Sequence, residues 1–212
     1  MLRGTLFWQD DTTPTRHLIA QQTRKAKTNM LNKQEQKLLA SLRRGERKSC
    51  QLFVQQYLPS LFAFFRGMGE PKEIAEDLAQ ETFLEFWKSL SSFRGESSLK
   101  TWIFLIGRRV AWKQRKKRPR QEFSSETEEH HQTEGHEALQ DELLWKQEQH
   151  SVLTQSMQTL DERFKEVLLL HYMEELTIKE VALVLDLKEG TVKSRIHRGI
   201  HHLKKQLDSH WQ

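Results

Sequence analysis

Thr177-Ile178-Lys179-Glu180-Val181-Ala182-Leu183-Val184-Leu185-Asp186-Leu187-Lys188-Glu189-Gly190-Thr191-Val192-Lys193-Ser194-Arg195-Ile196-His197-Arg198 is the stretch on which the fold of this chain turns. Thr177 with Glu180 three residues on has the form of a capping box and opens a helix over Thr177–Leu185. A second helix follows over Gly190–Leu207, joined to the first by Asp186–Glu189. Val181, Leu185, Leu187, Val192 and Ile196 are spaced to close a small core under the crossing, and Ala182 is small where two helices meet. Asp186 falls where Gly is usual, but Asp tolerates a left-handed backbone better than most residues. The second helix then offers Thr191, Lys193, Ser194, Arg195, His197 and Arg198, a donor-rich set suited to phosphates and base edges in a major groove. The bland alternative is a helical hairpin with a solvated basic face. His197 and His201 share a face, yet no zincin-like Glu follows His197 and no Cys is near, so they read as surface or phosphate-facing residues rather than metal ligands.

Upstream of this pair the charge runs from basic to acidic before it balances. Residues 1–37 carry seven Lys/Arg against three Asp/Glu, residues 38–121 seventeen against eight, residues 122–151 one against nine, and residues 152–212 nine against nine. A basic block, an acidic stretch and a balanced block imply two folded units and a connector. The connector is placed at residues 119–138, where Phe123 alone offers anything to bury, so it is expected to be mobile. His130, His131 and His136 within it read as solvated. Residues 1–31 contain the breaker cluster Asp10-Asp11-Thr12-Thr13-Pro14 and are expected to be a disordered extension. The two units are then residues 32–118 and 139–212.

Helix dominates the remainder. Helices are expected at Asn32–Arg44, Cys50–Arg66, Glu73–Ser89 and Leu99–Lys117 in the first unit, and at Leu139–Leu160 and Asp161–Tyr172 ahead of the pair above, with Asp161 as an N-cap. The second helix draws its apolar side chains from Leu52, Phe53, Leu58, Leu61, Phe62 and Phe65. The fold class is therefore all-α, as two small helical domains. Nine Gly, four Pro and a net charge of +5 over 212 residues agree with a helical chain that has a polyanionic partner. The isolated Cys50 excludes a disulfide scaffold and fits a reducing compartment. Trp102–Val110 is far short of a membrane span, and residues 1–11 lack the apolar core of a secretory signal.

Two helices of the first unit carry contrasting charge. Glu73, Asp77, Glu81 and Glu85 recur every fourth residue, and like charges at that spacing cost a few tenths of a kcal/mol per pair. A basic partner would relieve that cost. Residues 108–120 hold eight basic side chains and no acid. Trp102, Trp112, Phe93 and Phe104 interleave aromatics with this charge. Such a mixture suits unpaired nucleic acid, since phosphates meet the cations and bases stack on rings. At least one of Trp102 and Phe104 is expected to be core.

Ala75-Glu76-Asp77-Leu78-Ala79-Gln80-Glu81-Thr82-Phe83-Leu84-Glu85-Phe86-Trp87 resembles the core-polymerase-binding helix of sigma-70-type transcription factors. Thr101-Trp102 with Ile106-Gly107-Arg108 resembles their promoter-melting helix, and Gly190–Gly199 their −35-reading helix. With regions 2 and 4 alone, over roughly Leu38–Leu207, the chain is similar to the extracytoplasmic-function (ECF) subfamily. It departs from the usual pattern at Gly107-Arg108-Arg109 and Lys113. The resemblance implies that Asp77, Gln80, Glu81, Phe83, Phe86 and Trp87 bind the β′ clamp helices of core RNA polymerase, with the β subunit as a second contact. It also implies that Arg94, Lys100, Thr101, Trp102, Arg108, Arg109, Trp112, Lys113, Arg115 and Lys116 capture and melt −10 promoter DNA. Thr191, Lys193, Ser194, Arg195, His197 and Arg198 would read the −35 element.

A flipped base would need a pocket near the loop Ser91–Ser98. An anti-sigma factor is a further expected partner, and the cytoplasm the expected location. No catalytic constellation, cofactor motif or metal-ligand cluster is found in the sequence, so neither enzymatic activity nor a cofactor is expected. The competing readings are a helix-turn-helix regulator that acts without polymerase docking, and a helical adaptor that binds protein only.

Overall fold

Asn32 starts the first helix. Its side chain accepts a hydrogen bond from the Glu35 amide (2.8 Å), and the Glu35 carboxylate accepts one from the Asn32 amide (3.3 Å), so two otherwise unpaired donors are satisfied. In this computed structural model, which describes residues 31–117, 153 and 155–210, that cap leads into α1 (Lys33–Arg43). Gly45, at φ 68°, turns the chain into α2 (Arg47–Gly67). Then come α3 (Lys72–Ser89), a 3-10 turn at Leu90–Ser92, and α4 (Leu99–Lys117). α2 begins three residues before the expected Cys50, and α3 one residue before Glu73; α4 has the expected bounds.

The first unit closes on aromatic rings. Phe53, Phe65, Phe86 and Phe104 are fully buried with Leu61, Leu78 and Ile103. Phe53 stacks on Phe86 (centroids 4.7 Å apart), and Phe64 meets Phe104 edge-on at 5.6 Å, both favoured ring geometries. The apolar face of α2 differs in detail from the one expected. Leu52 and Leu58 are exposed, while Phe64 is buried. Gly107 brings α4 close: a Cβ there would sit 3.2 Å from both Leu61 and Phe65.

In the second unit residues 155–159 are helical, which agrees with the end of the expected Leu139–Leu160 helix; most of that helix, like the connector and the N-terminal extension, lies outside the described residues. Asp161 caps α5 (Glu162–Leu168) by accepting from the Arg163 amide at 3.0 Å. The expected α-helix to Tyr172 does not continue. The chain widens into a π-helical turn over Leu169–Met173, with the Glu174 amide donating to the Leu169 carbonyl at 3.1 Å. Such turns bond residues five apart in the chain, where an α-helix bonds residues four apart.

α6 (Ile178–Leu185) and α7 (Glu189–His210) form the anticipated helix pair. The Thr177–Glu180 capping box is present, with Glu180 N donating to Thr177 Oγ1 and Thr177 N to Glu180 Oε2. Val181, Leu185, Val192 and Ile196 are buried beneath the crossing, with Leu187 packed against them. Asp186 is left-handed at φ 54°, ψ 50°. For a β-branched residue that conformation costs roughly 1–2 kcal/mol, whereas Asn, like Asp, accepts it. Asp186→Val should therefore lower unfolding free energy in urea by about that much, and Asp186→Asn should change it little.

The two units pack directly on one another, a contact that nothing in the charge blocks foretells. α4 lies against α6, and the end of α2 meets the π-helical turn. A Cβ on Gly67 would sit only 2.8 Å from Leu169 Cδ2. Leu169 itself is buried.

Candidate nucleic-acid interface

α4 carries the basic and aromatic residues in three different settings. Trp102 is half-buried and stacks on Phe93, with centroids 4.2 Å apart and planes at 19°. Phe86 meets it at a tilt, with centroids 4.9 Å apart. Phe104 and Phe93 are buried, so they are core. Trp112, by contrast, is 58% exposed, and the Lys116 ammonium lies 3.6 Å from its ring centroid. Lys113, Arg109 and Arg94 are also exposed. An open ring flanked by cations is what base stacking beside a phosphate backbone requires.

The remaining expected contacts of α4 already have protein partners. Thr101 is fully buried, and its hydroxyl donates to Glu180 Oε1 at 2.7 Å; Ser98 donates to the same oxygen at 3.1 Å. Burial raises the Glu180 carboxyl, but the hydrogen bonds from Thr101, Thr177 and Ser98 outweigh it and hold the group below its ordinary value. Lys100 pairs with Glu174 at 3.4 Å. Glu174 is buried, and desolvation raises its carboxyl despite the opposing charge of Lys100. Arg108 Nε meets Glu166 at 2.7 Å. Arg115 Nε holds Glu70 of its own unit at 2.7 Å, while its Nη1 pairs with Glu162.

The loop before α4 is held from below. Arg43 at the end of α1 donates through Nε to the Leu90 carbonyl at 3.4 Å and through Nη2 to the Phe93 carbonyl. Gly95 follows at φ 74°. Beside it lies a groove of about 380 Å³ lined by Leu39, Arg43, Phe93, Arg94 and Gly95. This is where a pocket for a flipped base was expected. No sequence signal marked Arg43, because its role depends on a loop 47 to 50 residues away.

α3 presents its charges outward. Glu73, Asp77, Gln80 and Glu81 are exposed, and Leu84 adds an apolar surface at 53% exposure. Glu85 is paired with Lys88 at 2.8 Å, while Asp77 and Glu81 form no ion pair among the described residues. Of the three aromatic residues assigned to this surface, Phe83 and Phe86 are buried and Trp87 is half-buried. They brace the helix from within rather than offer it a contact. α7 turns Lys193, Ser194, His197 and Arg198 to solvent, with Thr191 and Arg195 half-buried. Among the described residues no group of three or more His, Cys, Asp or Glu is arranged to hold a metal ion.

An exposed acidic stripe, a basic–aromatic helix and a helix-turn-helix thus stand together on one fold. Residues 53–121 match the model for Sigma-70 region 2, and residues 150–203 that for Sigma-70, region 4. The ECF RNA polymerase sigma factor SigX of Bacillus subtilis is 32% identical over 168 residues, covering 74% of this chain and 83% of that protein. RNA polymerase sigma-H factor of Pseudomonas aeruginosa is 28% identical, covering 84% of this chain and 96% of that protein. Among solved structures, RpoE of Bartonella quintana, in complex with the anti-sigma factor NepR, superposes with a TM-score of 0.60 at 26% identity over 74% of this chain and 96% of RpoE. CnrH, in complex with the cytosolic domain of CnrY, has the same fold at a TM-score of 0.59 and 24% identity, covering 82% of this chain and 97% of CnrH. The chain belongs to the sigma-70 family of RNA polymerase sigma factors, within its extracytoplasmic-function subfamily.

The loop support is open to a direct test. Removing the Arg43 guanidinium takes away two hydrogen bonds at a partly exposed site, each worth about 1 kcal/mol or less. Arg43→Ala should destabilise the chain by about 1–2 kcal/mol in urea unfolding and speed amide exchange at residues 91–98. Exchange within α7 should stay at its wild-type rate.

Proposed function

We propose that this chain is an alternative sigma factor that binds core RNA polymerase, directs it to a specific set of promoters and helps open the −10 element. One observation carries the reading. The acidic stripe of α3 faces solvent while the basic–aromatic α4 packs behind it on the same core. Asp77, Gln80 and Glu81, with Leu84, supply the surface for the basic β′ clamp helices, and the β subunit receives the second unit. Trp112, Lys113, Lys116, Arg109 and Arg94 hold the unpaired −10 strand. Trp102, Thr101, Lys100, Arg108 and Arg115 join them once the second unit has moved aside.

Melting needs a protein that binds the open strand better than the duplex. Stacking on Trp112 and capture of a base in the groove beside Arg94 and Gly95 provide that difference. Lys193, Ser194, His197 and Arg198, with Thr191 and Arg195, read duplex −35 DNA, and residues 119–138 span the interval between the two elements. RNA synthesis itself belongs to the polymerase. An anti-sigma factor is the regulatory partner, a reading supported by the NepR complex of the Bartonella relative. The cytoplasm is the place of action; no described helix is long and apolar enough to cross a membrane. A free-standing helix-turn-helix regulator leaves the exposed Asp77 and Glu81 of α3 without a purpose.

Two outcomes are expected. Asp77→Lys with Glu81→Lys places positive charge against a positive clamp, a juxtaposition that costs several kcal/mol. Polymerase binding and run-off transcription should collapse, while helical content and melting temperature hold, because both positions are exposed and Lys is a good helix former. Wild-type transcription from this variant would refute the docking surface. Arg195→Ala should cost about 1–3 kcal/mol in −35 binding and relax specificity at one base pair. Lys193→Ala should weaken all sequences alike and lower the salt slope by about 0.9.

A further inference from the structure

α7 carries a row of basic side chains that runs well past the residues expected to read bases. Lys193, His197, His201 and Lys205 recur every fourth residue, with Arg198 and Lys204 beside them, and all six are exposed. Val192 and Ile196 are buried on the other side of the helix. At 1.5 Å per residue the row is about 18 Å long, whereas the major groove is about 12 Å wide. A recognition helix meets base edges with its N-terminal residues. The part of the row beyond Arg198 therefore lies against the groove wall, where the partners are phosphates. The two inner places of the row hold imidazoles. Among the described residues neither His197 nor His201 has a hydrogen-bond or ion-pair partner, and the His201 ring lies 6.2 Å from that of His202. The acids of α7, Glu189 and Asp208, stand near its two ends, and Asp186 and Lys188 lie in the turn ahead of it. The charged groups of the helices packed beneath α7 are engaged elsewhere or open to solvent. On α5, Glu162 and Glu166 pair with α4, Arg163 with Asp161, and Lys165 donates to the Gln158 carbonyl. On α6, Glu180 receives Ser98 and Thr101, and Lys179 is exposed.

We infer that the duplex-binding surface continues down α7 to His201, Lys204 and Lys205, and that His197 and His201 grip phosphates only when protonated, so that the hold on promoter DNA is proton-linked. This rests on the reading of α7 as the −35 helix. Like charges four residues apart destabilise a helix, and four fixed cations in one row would do so at every pH. Histidine as a class gains and loses its charge between about pH 5 and 8. The two inner places can thus take up charge when a polyanion is at hand to stabilise it. A phosphate opposite a protonated imidazole supplies that stabilisation through a charge-assisted hydrogen bond; a neutral ring forgoes it. The complex then holds more protons than the free chain and duplex, so by linkage its affinity rises as pH falls through the imidazole range. Phosphate contacts fix register and carry no sequence information of their own. A fall in pH therefore tightens the grip on DNA without changing which bases are read.

The test measures fluorescence anisotropy of a fluorescein-labelled duplex of random sequence with the full-length chain, at about pH 7.5 and about pH 6, over a series of salt concentrations. Wild-type affinity should rise about tenfold on acidification, roughly threefold for each imidazole that takes up a proton. The salt slope should steepen by up to about 1.8, for two phosphate contacts at about 0.9 each. His197→Gln with His201→Gln should remove most of both changes. His197→Arg with His201→Arg fixes the charge and should hold the tight, steep binding at both pH values. Lys204→Ala with Lys205→Ala should lower the salt slope by about 1.8 at either pH. All these positions are exposed and the new residues are good helix formers, so helical content should hold. Wild-type binding indifferent to pH would overturn the proposal. So would a pH response that survives the double glutamine variant, or a salt slope unchanged without Lys204 and Lys205. Lys193→Ala separates the two readings. If it leaves duplex binding unchanged, α7 is not the DNA helix and the −35 reading itself fails. If it weakens binding while the other variants have no effect, that reading stands and the proton-linked extension falls.

Discussion

The approach of α4 to α2 and α3 at Gly107 is the constraint on which the first unit depends. With no Cβ at that point, Leu61, Phe65 and Thr82 come within contact of the helix axis, and the aromatic core can be shared by three helices. Dense packing of this kind transmits displacement poorly as bending and well as rigid movement. The consequence is functional. α3 faces outward with acid and α4 with base, and both are seated on the same rings. Fixing α3 on a large partner therefore fixes the position of Trp112 and the loop at Gly95 as well. A helix docked elsewhere in the fold would leave the basic–aromatic helix free to wander.

The second unit is organised around a different device, the pair of helix starts and stops that frame α6. Thr177 and Glu180 satisfy the amides at its beginning, and Asp186 ends it with a left-handed residue. These local choices agree with the apolar spacing of Val181, Leu185, Val192 and Ile196, so propensity and packing specify the same geometry. α7 is then delivered with its donor-rich face outward. Gly199 permits the close crossing with α5, where a Cβ would meet Leu168 at 3.0 Å.

Legibility followed the range of the interaction. Caps, the left-handed Asp186 and the small core under the α6–α7 crossing are local, and each was written in residues three to fifteen positions apart. The acidic stripe and the basic–aromatic helix were also plain, because four-residue periodicity and charge runs need no tertiary knowledge. Burial of Phe83 and Phe86 was not plain, since an amphipathic helix with aromatics on two faces does not say which face is inward. Arg43, Gly67, Glu162, Glu166 and Glu174 carry no local signal of the joint. Their partners lie tens of residues away in sequence, and Glu180 had a complete explanation as a cap. The π-helical turn was likewise hidden, for Leu169–Met173 continues an ordinary helical pattern that the buried Glu174 and the turn at Glu175 (φ 53°) interrupt.

Two groups that join the units are engaged on both sides of the joint. Glu180 gives one oxygen to Ser98 and Thr101 and the other to Thr177. Arg115 is divided between Glu162 across the joint and Glu70 within its own unit. Breaking an ion pair is most costly when it strands a buried, unpartnered charge. Here separation returns each of these two groups to a partner it already has. A joint built this way is a catch and not a weld: parting it strands neither the Glu180 carboxylate nor the Arg115 guanidinium without a partner.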